Sequence, residues 1–211
     1  MFWMGLKKNL SPCKAEDGMP RKNAAEKVFE TARELFYHRG VRAVGIDEIV
    51  AQAGVTKPSL YRAFASKDEL VAACLQESGN ETRAALDALV AATPDDPRQR
   101  LRTVINFYAA KVTEPDFRGC AMSNTAVEFP EPGNLGRAVV EACKADMRAR
   151  FVDLTRRLMV RDPEALADGL VLIIEGAMAS HHIFGSQGPS AAMVVTADAL
   201  IDAYVNAGAS T

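Results

Sequence analysis

The sequence predicts an all-α fold of about nine helices, a small three-helix unit at the N-terminus followed by a larger helical body. Three observations carry this. Apolar residues recur at three- and four-residue spacing through most of the chain. No stretch alternates apolar and polar residues as a half-buried strand does. Capping residues followed by Pro or Glu, and glycines after apolar stripes, punctuate the chain where helices begin and end.

The first twenty residues hold Gly5, Pro12, Gly18 and Pro20 without periodicity, so residues 1–20 read as a flexible arm. From Ala24, Val28, Phe29, Ala32, Leu35 and Phe36 form one helical stripe that stops at Gly40. A second short helix buries Ile46, Ile49, Val50 and Ala53, carries Asp47 and Glu48 in its first turn, and closes at Gly54. Thr56 caps a third, with Lys57 and Pro58 in its opening turn and Leu60 and Phe64 on its buried side. Ser66 followed by Glu69 makes a capping box, starting a long helix through Leu70, Val71, Cys74 and Leu75 to about Ala91. Asp96-Pro97 and Asp162-Pro163 predict helices over residues 97–113 and 163–185. Between these, Pro130, Pro132 and Gly133 break the chain before a long amphipathic helix over residues 134–160. Ser190, after Pro189, starts the last helix. The expected domains are residues 21–66 and residues 67–211, after the arm.

Length and composition suit a folded globular protein: 211 residues, 48% hydrophobic and 25% charged. No apolar run approaches the roughly 18 residues of a membrane span, and the N-terminus lacks a signal-peptide core. The expectation is a cytoplasmic protein with no membrane partner. The four cysteines (Cys13, Cys74, Cys120, Cys143) show no paired metal or redox spacing, so no metal and no cofactor are expected. Charge is divided along the chain. Residues 1–70 carry 12 Lys and Arg against 9 Asp and Glu, and the rest carry 13 against 18. A basic module on an acidic body accounts for the overall charge of −2.

Residues 45–69 are the informative segment. Two short helices meet at Gly54-Val55, and the second presents polar and cationic groups at its start. A recognition helix needs this, because its N-terminal side chains must reach base edges while its far side packs on the core. Thr56, Lys57, Ser59, Tyr61 and Arg62 lie off the Leu60–Phe64 line; Arg62 suits a guanine edge or a phosphate, and Lys67 a phosphate. In this segment Ile49-Val50, Ala53-Gly54-Val55-Thr56, Ser59-Leu60-Tyr61, Phe64 and Ser66-Lys67-Asp68-Glu69-Leu70 stand in one register that resembles the DNA-binding domain of the tetracycline-repressor (TetR) family. The resemblance covers about a quarter of the chain. It implies DNA contacts at Thr56, Lys57, Pro58, Ser59, Tyr61 and Lys67, a double-stranded operator, a small-molecule effector and a homodimer. Gly45 and Asp47 depart from the family pattern, which often has Thr and a small or basic residue there.

Residues 117–129 resemble a stretch found in one subgroup of these regulators. Phe107, Tyr108, Phe117, Cys120, Met122, Asn124 and Phe129 are the expected effector-lining residues, suited to an apolar or aromatic molecule, although each could equally fill a core. Only Arg118 is basic beside Cys120 in sequence, which favours an inert thiol. His181 and His182 point about 100° apart on a helix, so they are not expected to share a metal ion. Gly169, Ile173, Gly176 and Ser180 fall on one helical stripe, and Ala192, Val195, Ala199 and Ala203 on another; together they are expected to form a two-fold dimer interface. The rival is packing within the chain. No phosphate loop, dinucleotide fingerprint or nucleophile elbow is present, and Glu128 with His181 is too common a combination to indicate an enzyme. The expected activity is ligand-responsive regulation of transcription, most simply repression. The alternative is a helical ligand-binding or interaction protein with a degenerate DNA-binding surface.

Overall fold

The computed structural model describes residues 23–208. The expected arm and Cys13 lie outside them. α1 (Ala24–Arg39) starts at Asn23, whose Oδ1 accepts from the Glu26 amide at 2.9 Å while the Glu26 carboxylate accepts from the Asn23 amide at 3.1 Å. It stops at Gly40, whose φ of +84° is strained for any residue with a Cβ. α2 (Ile46–Ala53) ends at left-handed Gly54, and α3 (Lys57–Ala63) begins on Thr56. Phe64 lies one residue beyond that helix and packs on the same apolar cluster as Leu60. It is the extended C-cap and half-buried, while Leu60 alone is fully buried.

α4 (Lys67–Ala91) is capped by Ser66, whose Oγ accepts from the Glu69 amide at 3.0 Å. The expected box is displaced by one residue, because the Glu69 carboxylate accepts from Ala65 rather than from Ser66. α5 (Pro97–Val112) and α8 (Pro163–Phe184) begin on Asp96 and Asp162 as expected. α6 (Ala121–Glu128) was not singled out by sequence: it spans eight residues and no side chain caps it.

α7 (Leu135–Arg156) stops short of residue 160. The buried Thr155 hydroxyl donates to the Pro163 carbonyl at 2.8 Å, and Met159 turns to φ +57° as the chain reverses into α8. α9 (Met193–Gly208) begins later than Ser190, after short 3-10 turns at Gly185–Gln187 and Pro189–Ala192. Ser190 is buried instead, with its hydroxyl 3.0 Å from His181 Nδ1.

Among the described residues the fold is all-α, with two apolar clusters. One joins α1, α2 and α3 to the start of α4 and also takes in Met122 and Val140. The other packs α5, α7, α8 and α9 around Phe151, Leu170 and Ile174. α4 belongs to both, through Leu70 and Val71 at one end and Leu86 at the other.

Candidate nucleic-acid interface and internal cavity

Burial of Ile49 and Leu60 orients the helix pair. With these two side chains inside, Thr56, Lys57, Pro58, Tyr61 and Arg62 are exposed at the start and outer side of α3. Tyr61 is 49% exposed, so its ring is open to a partner. Ser59 is half-buried; its amide donates to Thr56 Oγ1 at 3.4 Å and the two hydroxyls lie 3.0 Å apart. Lys57 pairs with Asp47 at 2.6 Å, and that contact raises its pKa, so the ammonium stays charged. Arg62 makes no hydrogen bond or ion pair among the described residues.

Lys67 has a partner within the chain. Its ammonium donates to the Val41 carbonyl at 2.6 Å and lies 5.9 Å from the centre of the Phe36 ring. Burial lowers its pKa. It ties the loop after α1 to α4.

A second set of contacts, missed in the sequence, joins α6 and the loop before it to the α1 end of the helix-turn-helix. The Glu128 carboxylate accepts from the backbone amides of Val41 at 3.0 Å and Arg42 at 2.6 Å. A Cβ at Gly40 would stand 2.9 Å from Glu128 Oε1, so the close approach needs glycine there. Ten residues earlier the Arg118 amide donates to the Tyr37 hydroxyl at 2.9 Å, and the Arg118 guanidinium donates to the His38 carbonyl. Burial raises the Tyr37 pKa, so it remains a neutral phenol. Glu128 is thus committed to a backbone clamp, whereas His181 meets Ser190 and the edge of Phe117. The two do not form a pair.

The same segment walls a cavity of about 140 Å³ between α4, α5, α6, α7 and α8. Four of the seven expected lining residues are there: Tyr108, Phe117, Cys120 and Met122. Phe107 is core, packed edge-on against Tyr108 with the Lys111 ammonium 5.2 Å from its ring centre. Asn124 donates to the Arg118 carbonyl at 3.0 Å and lines an adjoining cavity of about 590 Å³. Phe129 lines neither cavity and lies under the Arg42 guanidinium. The smaller cavity is less apolar than the aromatic composition suggested, since Lys111, Lys144, Glu114 and Glu175 all reach it. Burial lowers the Lys111 pKa. Burial also opposes charge on Lys144, but Cys120 and its ion pair with Glu175 outweigh that and raise its pKa. Lys144 Nζ stands 3.4 Å from Cys120 Sγ, which corrects the expectation that Arg118 is the only base near that thiol.

The small-residue stripe on α8 divides between two surroundings. Gly169 faces within the chain, where a Cβ would meet Leu200 Cδ2 at 2.7 Å. Ile173 packs partly on the core and Ser180 is half-buried. Gly176 opens to free space. The outward line is instead Leu172, Gly176, Ala179 and Ile183, beside exposed Val195 and Ala199 on α9. Leu172 and Ile183 are 72% and 75% exposed.

Residues 28–74 match the family described as bacterial regulatory proteins, tetR family. The chain is 32% identical over 157 residues to the HTH-type transcriptional activator FasR of Mycolicibacterium smegmatis, an alignment covering 74% of this chain and 70% of that protein. It is 28% identical to the HTH-type transcriptional repressor DhaR of a Mycobacterium species, over 53% of this chain and 54% of that one. A TetR-family transcriptional regulator from Streptomyces coelicolor superposes with a TM-score of 0.82 at 29% identity, over 86% of this chain and 96% of the other. A second such regulator, from Streptomyces avermitilis, gives 0.73 at 32% identity, over 87% and 98%.

Proposed function

The chain belongs to the TetR family, transcriptional regulators that bind DNA through a helix-turn-helix, and from that premise we propose a ligand-gated repressor that grips a palindromic operator as a homodimer. Residues 21–66 are the reading head and residues 67–211 the effector and dimer body, and a regulator that works on DNA belongs in the cytoplasm. No helix among the described residues is long and apolar enough to cross a membrane. Thr56, Lys57, Pro58, Ser59, Tyr61 and Arg62 face the major groove. Lys67 supports the loop beside them through one N–H and has further donors to offer a phosphate.

One observation carries the gating. Residues 118–128 both line the cavity, through Cys120 and Met122, and clamp the head, through Arg118 and Glu128. A molecule that displaces α6 therefore moves the α1 end of the head as well as α4. The effector is small, since a cavity near 150 Å³ accommodates benzene, and it meets both apolar and charged walls. Two heads in a dimer must match half-sites about 34–36 Å apart or a multiple of this, so a small rotation costs much of the affinity. The dimer rests on the exposed α8–α9 face around Gly176 and Val195, where small and aliphatic side chains permit close helix packing.

The Asp47–Lys57 pair and the uncapped Gly45 favour a second reading, a ligand-binding protein whose DNA surface has decayed, because they remove one free cation and one hydroxyl. A salt-dependent gel shift on the DNA flanking the protein's own gene separates the two. Sequence-selective binding that weakens steeply with salt supports the regulator. Binding no tighter than to unrelated DNA supports the decayed surface. A reporter under the same promoter then gives the direction: higher expression on deletion means repression, lower means activation.

A further inference from the structure

We infer that Cys120 is a covalent capture point for small electrophilic carbonyl compounds, enals and enones, with the Lys144 ammonium as its charge partner. This rests on the proposal that the cavity is the effector site. Three observations converge on the thiol. Cys120 is the N-cap of α6, where the first free amides of the helix favour negative charge. Lys144 Nζ is 3.4 Å from its sulfur and is itself anchored by Glu175, so a cation is held against the thiol. Cys120 lines both cavities, which gives a small molecule a place to arrive.

The other described thiols lack this setting. Cys74 is buried among apolar side chains, its pKa pushed up to about 12 by that burial, and its Sγ lies 3.9 Å from the Phe29 carbonyl. Cys143 opens to the smaller cavity, but burial raises its pKa and it caps no helix. They serve as internal controls.

The step balances without a further reagent. The thiolate attacks the β-carbon of the enone, forming a C–S bond as the C=C π pair moves to the carbonyl oxygen as an enolate. The proton lost from the thiol returns to the α-carbon, delivered by Lys144 or by water. The product is a saturated ketone joined to Cys120 by a thioether, with Lys144 left charged as before.

Methyl vinyl ketone on the reduced full-length protein, read by intact-mass and peptide-mapping spectrometry, tests this. Cys120 is expected to alkylate at least about tenfold faster than Cys74 or Cys143 at neutral pH. The ammonium offsets the negative charge that the sulfur carries into the attack, an effect on rate that the lower nucleophilicity of a stabilised thiolate partly cancels. Lys144→Met should therefore slow Cys120 by roughly threefold to thirtyfold, slow Cys143 much less, and be rescued by Lys144→Arg. A wild-type Cys120 that reacts no faster than Cys143 overturns the assignment even if Lys144→Met does not fold. A folded Lys144→Met variant with an unchanged Cys120 rate also overturns it. Gel shifts of treated and untreated protein then separate capture from gating. Release in the wild type that is absent in Cys120→Ser supports both, whereas a full Cys120 adduct with undiminished operator binding upholds capture and refutes the effector-site reading.

Discussion

Removing the Glu128 carboxylate perturbs the clamp that joins α6 to the loop after α1. Two backbone amides donate to it, Val41 from a part-buried position at 3.0 Å and Arg42 from an exposed one at 2.6 Å. Hydrogen bonds to charged groups contribute about 1.5–3 kcal/mol each when shielded, and the exposed Arg42 bond contributes less because water replaces it. Glu128→Ala is therefore expected to cost about 2–3 kcal/mol, concentrated in the loop after α1. Amide hydrogen exchange reads this directly. A local loss of about 2 kcal/mol accelerates exchange at Val41 by roughly 30-fold, while amides in the middle of α8, around buried Ile174, keep their protection. If the loss is shared with global unfolding, Tm falls by about 4–8 °C. Glu128→Gln keeps the size and one carbonyl oxygen but turns an NH2 group towards the second amide, so it should fall between wild type and alanine. Unchanged Val41 protection in a folded Glu128→Ala variant would show that the loop holds itself, and the clamp would then carry no coupling.

Three further outcomes are expected. Asp47→Ala releases Lys57 from its exposed ion pair and removes a negative charge from the groove side, so operator affinity should rise and its salt dependence steepen by about one counterion; equal or weaker binding means that Lys57 does not meet DNA. Lys67→Met keeps the stem over Phe36 but loses the bond to the Val41 carbonyl, which should lower stability by about 1–2 kcal/mol in thermal unfolding with little change in salt slope. A slope flatter by about one would put the ammonium on a phosphate instead. Gly176→Arg extends into open space, so the protein should fold as a monomer by light scattering and bind the operator poorly. A variant that stays dimeric or unfolds would displace the interface from this face.

Helix punctuation was legible in the sequence because caps are local. Thr56, Ser66, Asp96 and Asp162 each accept from an amide three residues on, so side-chain chemistry and spacing specify them with no reference to the rest of the chain. The register of residues 45–69 was legible for the same reason: Gly54, Leu60 and Ser66 fix two short helices and the start of a third. Short or irregular elements were not. α6 has too few residues for a periodic stripe, and α9 is delayed because the chain turns twice in 3-10 form around buried Ser190.

The amino-acid order by itself determined the helical class, most helix boundaries and the outward-facing groups of α3, since one turn of helix and one buried stripe suffice for each. Tertiary structure alone decided which chemistry the body carries. Glu128 reaches amides 87 and 86 residues away, Lys144 meets a thiol 24 residues earlier, and Lys67 turns to a carbonyl 26 residues back. Gly169 and Gly176 share a stripe and differ only in whether α9 stands over them. Such contacts depend on how whole helices pack, and a helical stripe records that a face is buried without recording what lies against it.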